Sequence, residues 1–320
     1  MYKYLIFITL LFYQTFYAQE KVELLPYGDM DKWMVREIKE SFVIGGKTQL
    51  LYAITDEKDT LKNNKPYKNK LSPWASSSVY ADVNTIKKGS VSVFPEKRDG
   101  NGYAARLETK VERVKVLGLI NINVLASGTI FLGETVEPIR DTKNPQSKLI
   151  TGIPFTQKPD FLQFDYKVHT GGPKRRINGL KKNGEAIGEN DKAEIHLILQ
   201  KRWEDENGNV FAKRIATGWQ RFEKSVKSWQ NNHRVEINYG NISKEDFYRD
   251  YMRLRQKDDE VFYTKNSKGK MVPIQEVSWG NPNEEVTHLI LQFSSSNGGA
   301  YIGNPKSKLW IDNVKLVYKE

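Results

Sequence analysis

The sequence predicts an all-β protein built as a β-sandwich. Runs of aromatic and β-branched residues, separated by Gly, Asn, Asp and Pro, recur from one end of the chain to the other, and this pattern is typical of short strands joined by turns. No unit of about 20 to 50 residues repeats, which argues against solenoids and propellers. Because no low-complexity linker divides the chain and domains of this class reach about 250 residues or more, we expect one domain over residues 19–320.

Eight segments have the composition of strands. Between residues 193 and 199 every second residue is apolar, while Glu194 and His196 face the other way, and a similar alternation returns from residue 314 to residue 319. Both segments therefore read as strands with one buried face. The sequence Asn207-Gly208-Asn209 predicts a turn between two strands. The eight strand candidates are Lys47 to Ile54, Ser90 to Phe94, Tyr103 to Val111, Phe161 to Val168, Ala193 to Gln200, Val235 to Tyr239, His288 to Ser294 and Lys308 to Val317.

One helix is predicted, from Ser243 to about residue 256. Ser243 is suited to cap its first turn, and Asp246 follows at the spacing of a capping box. Phe247 and Tyr251 then fall on one face. We expect this helix to pack on or beside the sheets.

The N-terminus has the order of a secretory signal peptide. Lys3 precedes an apolar run from Leu5 to Phe12, and Ala18 supplies a small residue just before the first charged residues. The run is shorter than the roughly 20 residues that a membrane-spanning helix needs, so a retained anchor is the lesser alternative. We expect residues 1–18 to be the signal, and residues 19–320 to be exported to the periplasm, the cell surface or the medium without a transmembrane span.

Cysteine usage and charge narrow the function classes. The chain has no cysteine, which excludes disulfides, thiolate metal sites and cysteine nucleophiles. Its formal charge is +11, and loss of one positive charge with the signal leaves +10. A basic surface suits nucleic acid, an anionic membrane or an anionic polymer. Export argues against nucleic acid and no long basic helix supports a membrane, so an acidic polysaccharide or an ordinary solvated surface remains.

Aromatic and arginine side chains supply the candidate ligand-binding residues. The chain has 7 Trp and 16 Tyr, and aromatic faces stack on sugar rings, although large aromatics also dominate protein cores. Trp74 is the first candidate because its Ser- and Pro-rich neighbours predict a loop, and Trp219 and Trp279 follow it. Arg98 and Arg106 are candidates to hold acidic groups of a ligand in a bidentate manner. Ion pairs at strand edges are the alternative role for both arginines.

Cleavage of a glycosidic bond would need two carboxylates about 5 Å or about 6.5–9.5 Å apart. Glu134, Glu137 and Asp165 are weak candidates because each is set among apolar residues, and the alternative is a structural role as strand rims or ion-pair partners. No Gly-x-Ser-x-Gly elbow and no phosphate-binding loop is found, and the four histidines form no zinc-binding pair. Serine hydrolase, nucleotide and zinc chemistry are therefore disfavoured.

A structural calcium ion is the one cofactor that the sequence suggests. Calcium takes oxygen ligands from carboxylates and carbonyls in loops. Asp29 and Asp31 near the start of the mature chain would approach Asp312 if the first and last strands pair.

Six segments carry a resemblance to a known family through their order and spacing. They are Ala126 to Gly133, Gly152 to Pro159, Phe164 to Lys167, Phe293 to Gly299, Tyr301 to Gly303 and Leu309 to Val314. Residues 28–33 look like the opening strand, so the likeness covers nearly the whole mature chain. In these segments the chain resembles the putative carbohydrate metabolism domain, a jelly-roll module of exported proteins of Bacteroides-type bacteria. The resemblance implies a β jelly roll and a glycan-related role, and no catalytic residues come with it.

Three functional hypotheses follow. The leading one is an exported, non-catalytic glycan-binding protein that takes part in carbohydrate recognition or metabolism. The second is a glycoside hydrolase or polysaccharide lyase, which an open sheet lined by carboxylates or by Tyr, Arg and Lys would favour. The third is a structural or adhesive component of the cell envelope. The sequence specifies neither the glycan nor the oligomeric state.

Overall fold

The protein is described by a computed structural model over residues 19–100, 102–116, 120–181, 183–256 and 261–319. The predicted signal peptide, residues 1–18, lies outside the described residues. The strands of the first half are β1 (Glu20–Leu24), β2 (Trp33–Lys39), β3 (Thr48–Ile54), β4 (Trp74–Ser76), β5 (Val79–Val83), β6 (Ile86–Ser90), β7 (Val93–Lys97), β8 (Tyr103–Glu108), β9 (Lys110–Val116), β10 (Ile120–Ala126), β11 (Thr129–Thr135), β12 (Leu149–Thr151) and β13 (Ile153–Pro154).

The second half of the chain is equally rich in strands. They are β14 (Phe161–His169), β15 (Pro173–Arg176), β16 (Asn178–Gly179), β17 (Glu185–Asn190), β18 (Ala193–Glu204), β19 (Val210–Phe222), β20 (Val226–Glu236), β21 (Asn238–Tyr239), β22 (Tyr263–Lys265), β23 (Met271–Trp279), β24 (His288–Ser294), β25 (Ile302–Gly303) and β26 (Lys308–Lys319). Within the described residues the helical structure consists of three short 3-10 helices, Phe42–Ile44, Pro145–Lys148 and Asp250–Met252. None of these helices has the length and apolar character that a bilayer crossing requires.

Two large sheets form the body of the molecule. The first has the strand order β20-β14-β26-β8-β7, and β1 pairs with the C-terminal part of β26. The second has the order β12-β11-β24-β18-β19-β23-β22, with β4, β13 and β21 attached to its members. The N- and C-terminal strands of the described chain are therefore direct neighbours.

The main hydrophobic core lies between these two sheets. Alternation along β26 places Leu309 and Ile311 in the core and leaves Trp310 on the opposite face. Residues with 0% exposure come from both sheets: Val93, Leu107, Phe164 and Leu309 from the first, and Ile130, Leu197, Ile215 and Leu291 from the second. Each fully buried side chain of this size stabilises the fold by about 1.5–3 kcal/mol. The predicted all-β sandwich is confirmed.

Five of the eight predicted strands agree with this arrangement, and the other three segments each run across two strands. Segments 161–168, 193–200 and 288–294 fall inside β14, β18 and β24, and the predicted Asn-Gly-Asn turn joins β18 to β19 with Gly208 at φ 88°. Segment 103–111 covers β8 and the start of β9, and segment 235–239 covers the end of β20 and β21. Segment 90–94 spans the end of β6 and the start of β7. Its apolar residues are buried on both sides of that junction, so composition alone did not separate the two strands.

The predicted helix at 243–256 is wrong. Apart from the 3-10 turn Asp250–Met252, residues 241–256, here called the covering segment, consist of turns and irregular chain lying on the outer side of the second sheet. The backbone carbonyls of Met252 and Arg253 accept hydrogen bonds from the buried Arg214 guanidinium. In an α-helix those carbonyls would be turned along the helix axis toward later amides. Tertiary contacts therefore overrode a local helix signal.

Candidate functional site

The face of the first sheet turned away from the core carries a line of five side chains, one from each of the strands β20, β14, β26, β8 and β7. The aromatic row, as we call it, consists of Trp229 on β20, Lys167 on β14, Trp310 on β26, Arg106 on β8 and Phe94 on β7. Strand register places Lys167 opposite Trp310, Trp310 opposite Arg106 and Arg106 opposite Phe94. Because neighbouring strands lie about 4.8 Å apart, the row is about 19 Å long.

Aromatic rings and cations alternate along the row and contact one another. The Lys167 ammonium lies 4.6 Å from the Trp310 ring centroid and 5.4 Å from that of Trp229. The Arg106 guanidinium lies 4.8 Å from the ring of Phe94. These are cation–π distances. All five side chains are half-buried, so the row is ordered and still reaches solvent.

Glu96 binds three side chains at the centre of the row. Its carboxylate accepts hydrogen bonds from Arg106 at 2.7 Å, from Trp310 Nε1 at 2.8 Å and from Lys167 at 3.3 Å. Burial acts to raise the pKa of Glu96, but the hydrogen bonds from Arg106 and Trp310 outweigh it and the pKa lies below its ordinary value. Glu96 is therefore ionised at neutral pH and fixes the orientation of its three donors.

The row keeps an excess of positive charge. Two further cations lie beside the two in the row. The Lys110 ammonium is 5.2 Å from the Phe94 ring centroid, and Lys308 pairs with Glu108 at 2.8 Å. Four cations thus face the carboxylates of Glu96 and Glu108, which leaves two positive charges among these groups. An anionic ligand would be attracted to this face.

Arg98 lies beneath the end of the row and not on its surface. Its guanidinium lies 4.1 Å from the Trp229 ring, donates to Asp165 at 2.8 Å and Asp312 at 2.5 Å, and donates to Asn231 at 2.6 Å. The expectation that Arg98 grips an acidic group of a ligand is wrong, because internal partners occupy its nitrogens. Its role is to support Trp229.

The two carboxylates on Arg98 differ in proton affinity. Burial raises the pKa of Asp312 to about 6. Asp165 is also desolvated, but the backbone amide of Asn232 and the Arg98 guanidinium outweigh burial and lower its pKa. Because both carboxylates accept hydrogen bonds from the same arginine nitrogen, the two bound oxygens lie no more than about 5 Å apart.

The predicted calcium site does not form among these residues. Asp312 is neutralised by Arg98, while Asp31 accepts a hydrogen bond from the backbone amide of Tyr103 at 2.7 Å, and Asp29 accepts one from the amide of Asp31. Across the described chain, no group of three or more acidic or histidine side chains is arranged to hold a metal ion. Pairing of the first and last strands brings the segments together, but the guanidinium takes the place assigned to the cation.

The remaining carboxylate candidates are held apart from Asp165. Glu137 is buried, accepts two hydrogen bonds from Arg36 at 3.1 and 2.5 Å, and accepts two more from the backbone amides of Tyr67 and Tyr80. With its oxygens saturated, Glu137 anchors three chain segments. Glu134 is more accessible and pairs with Lys68 at 2.6 Å.

Trp74 is a core residue, so the prediction of an exposed loop is wrong. It opens β4, is 2% exposed, packs 6.3 Å from Phe293 between ring centroids, and donates from Nε1 to the carbonyl of Pro26 at 2.9 Å. Its Ser and Pro neighbours turn the chain before and after a short buried strand. Trp74 offers no face on which a sugar could stack.

The other two predicted tryptophans lie on the outer side of the second sheet. Trp279 is half-buried, with the Arg214 guanidinium 5.2 Å from its ring. Trp219 is largely buried and lines a cleft of about 220 Å³. The cleft, called here the Trp219 cleft, is lined by Thr217, Trp219, Gln220, Arg234, Val235, Glu236, Asn238, Ile242, Phe247 and Met252.

Sequence analysis placed Arg106 correctly on a strand but did not single out Trp229, Lys167 or Trp310. A signal was present for each indole. Trp310 alternates with two apolar residues, which predicts that its side chain lies on the solvent face of that strand. Trp229 stands in a wholly polar stretch from residue 227 to residue 232. That they meet across separate strands depends on sheet register, which neither signal contains.

Comparisons with known proteins give a family and two similar structures. A putative glycoside hydrolase from Bacteroides thetaiotaomicron is 18% identical with a TM-score of 0.45, and the match covers 77% of this chain and 63% of that one. A putative glycoside hydrolase from Bacteroides vulgatus is 14% identical with a TM-score of 0.43, and the match covers 94% and 96%. The chain thus spans less than two thirds of the first structure's length. No curated protein matches the chain. Residues 43–317 match the model of the putative carbohydrate metabolism domain, and the chain belongs to this family.

Proposed function

We propose that this chain is an exported protein that binds an acidic polysaccharide along the aromatic row and does not cleave it. The observation that carries the proposal is the continuous alternation of rings and cations across five neighbouring strands. Membership of a carbohydrate metabolism family supports a sugar as the ligand. The length of the row suits an extended polymer spanning several sugar units.

The chemistry of the row suits a sugar chain with acidic groups. Indole rings present apolar surface to the C–H faces of sugar rings, and they are already held by Lys167 and Glu96, so little side-chain entropy is lost on binding. Lys167 and Arg106 stand on either side of Trp310 and have N–H groups beyond those bound to Glu96. Carboxylate or sulfate groups on alternate sugars would accept these hydrogen bonds.

Binding without cleavage is favoured by the state of the carboxylates. Glu137 is saturated by internal donors and Glu134 pairs with a lysine. Glu96, the carboxylate at the centre of the row, holds three donors and has a lowered pKa, which makes it a poor general acid.

Hydrolysis by Asp165 and Asp312 is the second candidate function, because these groups are close together and their pKa values shift in opposite directions. Against it, Arg98 bridges the two carboxylates, and both are almost completely buried. A sugar would have to displace the guanidinium to reach them.

One experiment separates these functions. Purified protein is incubated with neutral and acidic polysaccharides, and both retention on each polymer and release of new sugar ends are measured. Retention on acidic polymers without release is expected, and retention should fall as salt rises. Release that disappears in Asp312→Asn would establish hydrolysis instead. Neither retention nor release on any polymer would contradict the proposal and favour a structural role.

A further inference from the structure

We propose that the turn between β2 and β3 binds the surface of a lipid bilayer that carries anionic phospholipid headgroups. This turn, called here the β2–β3 tip, runs from Ser41 to Lys47 and includes the 3-10 helix Phe42–Ile44. The hairpin that carries it belongs to neither of the two large sheets. The inference therefore adds an interaction surface and a kind of partner that the aromatic row does not supply.

Two apolar side chains of the tip are turned to solvent. Phe42 is 92% exposed, the largest value for a large apolar residue in the described part of the chain, and its neighbour Val43 is 54% exposed. An exposed apolar pair of this kind gains free energy when an apolar phase covers it. The fold leaves this area available for a partner.

The backbone of the tip holds Phe42 in this position. The amide of Gly46 donates to the carbonyl of Ser41 at 3.1 Å, and the amide of Gly45 donates to the carbonyl of Phe42 at 2.9 Å. Both glycines have positive φ angles, which the tight turn requires. The Ser41 hydroxyl also accepts a hydrogen bond from the amide of Lys87 on β6 at 2.8 Å. A fixed turn loses little conformational entropy when it binds.

Three exposed lysines lie beside the apolar pair. Lys47 is the last residue of the tip, Lys39 is the last residue of β2, and Lys87 is bonded to Ser41 through its backbone. All three are exposed, and no carboxylate in the described part of the chain lies within ion-pair distance of their ammonium groups. These cations are free to contact anionic headgroups.

The carboxylates near the tip leave an excess of positive charge. Segments 39–47 and 84–88 contain four lysines and one acidic residue, Glu40. Glu40 is 6% exposed and pairs with Lys88 at 3.3 Å, and Lys88 also pairs with Glu112 on β9 at 3.2 Å. Counting both carboxylates, these groups retain two positive charges. The acidic groups are thus paired inside the protein, while the unpaired cations face solvent.

The combination of these features favours a bilayer over an acidic polysaccharide. The rings of the aromatic row are half-buried and form a continuous surface across several strands, whereas Phe42 and Val43 protrude from a single turn. A protruding apolar pair enters the boundary between headgroups and acyl chains, and lysines beside it remain among the phosphates. A hairpin tip can therefore provide the membrane contact for which no basic helix is present.

The tip is close to one end of the aromatic row. Tyr52 on β3 packs against Phe94, the last residue of the row, with 6.1 Å between ring centroids. Lys47 precedes Tyr52 by five residues, which corresponds to about 17 Å along an extended strand. If the proposed function holds, a protein bound through the tip would keep the row near the membrane surface.

The test uses residues 19–320, so that the apolar N-terminal run cannot itself bind lipid. Co-sedimentation is measured with vesicles of phosphatidylcholine alone and of phosphatidylcholine mixed with phosphatidylglycerol, at low and high salt. Binding to the anionic vesicles that weakens as salt rises is expected. Phe42→Ser should weaken this binding about tenfold, while Phe42→Trp should retain it because indole rings favour the interface. Phe247→Ser removes another exposed phenylalanine and should leave binding unchanged.

A second pair of variants tests the charge. Lys47→Gln combined with Lys87→Gln should weaken binding to the anionic vesicles about twentyfold, or about fivefold for each lysine. Lys224→Gln combined with Lys306→Gln removes two lysines that are exposed elsewhere and should leave binding nearly unchanged. All these lysines are on the surface, so the unfolding midpoint should not change.

Each outcome decides for or against the tip. Binding to anionic vesicles that depends on Phe42 and on the two lysines supports the proposal. Binding to neither kind of vesicle, equal binding to both, or dependence on the lysines without dependence on Phe42 overturns it. A wild-type dimer that becomes a monomer in Phe42→Ser without vesicles would assign the tip to a contact between copies, and also overturns it. The proposed function is judged separately, from retention on acidic polymers, since these variants leave the row intact.

Discussion

The outer faces of the two large sheets carry similar residues, which reach solvent on the first sheet and are fully buried on the second. On the first sheet, Trp310, Lys167 and Arg106 are half-buried and reach solvent. On the second sheet, Arg214 and Glu276 are fully buried beneath the covering segment, with the ring of Trp279 5.2 Å from the guanidinium. Arginine, carboxylate and indole therefore form an open surface on one sheet and a sealed network on the other.

The difference lies in how completely the hydrogen-bonding groups are used. Arg214 donates to Glu276 and to the carbonyls of Met252 and Arg253, and Glu276 also accepts from Gln200 at 2.7 Å. Despite complete burial, Arg214 holds the pKa of Glu276 below its ordinary value. A saturated buried network fixes the covering segment, whereas the row keeps donors for a ligand. The same residue types thus serve stability in one place and, in the proposed function, recognition in the other.

The largest expected effect comes from opening the sealed network. Arg214→Met leaves Glu276 buried without its cation and should lower the free energy of unfolding by about 3–5 kcal/mol, as measured by urea denaturation. The matched change on the open face, Arg106→Met, should cost less than about 1 kcal/mol because its ion pair with Glu96 is partly solvated. Equal losses for the two variants would contradict the distinction.

The next effect is a pH dependence centred on Asp312, beneath the row. Its raised pKa, about 6 against an ordinary 3.8, means that the folded state binds this proton more tightly than the unfolded state. This group therefore makes the protein less stable as pH rises from about 4 to about 6, by up to about 3 kcal/mol. The unfolding free energy of wild type minus that of Asp312→Asn, measured across that range, should decrease as pH rises.

Asp165 provides the control of opposite sign. Its pKa is lowered, so its contribution to stability is present above its ordinary pKa and is lost as pH falls through the folded value. Asp165→Asn should accordingly show a smaller loss of unfolding free energy than wild type as pH falls below about 4. A flat difference between wild type and Asp312→Asn from pH 4 to 6.5 would disprove the assignment.

A smaller effect separates indoles of the row from indoles of the core. Trp310→Ala should reduce affinity for an acidic polysaccharide about tenfold, or about 1.4 kcal/mol, because a stacking surface and the Nε1 bond to Glu96 are both lost. Trp74→Ala should instead cost about 3–5 kcal/mol of stability through the cavity it leaves, without changing the affinity of the protein that remains folded. If Trp74→Ala abolished binding in folded protein while Trp310→Ala did not, the two roles would have to be exchanged.

The smallest effect tests charge alone. Lys167→Met keeps an apolar side chain between the two indoles, so affinity for the acidic polymer should fall only a few-fold, and its dependence on salt should become shallower. Lys181→Met removes an exposed lysine that pairs with Glu185 outside the row and serves as the control. An unchanged salt dependence in Lys167→Met would show that the charge of the row does not attract the acidic polymer.

Local pattern determined much of the fold. Alternation along β18 and β26, and Asn-Gly turns such as that at Gly208, depend on neighbouring residues alone, because side chains on a strand point alternately to its two faces. The absence of cysteine and the excess of basic residues are also properties of the sequence by itself, and so are the segments that identify the family.

Only the tertiary structure decided which residues meet. Trp74 has the neighbours of a loop residue and lies in the core, while Trp229 and Trp310 are 81 positions apart and stand in one row. Asp312 meets Arg98 because the pairing of distant strands sets its neighbours. Sheet register and burial are long-range properties that depend on the packing of the whole chain, so no local window of sequence contains them.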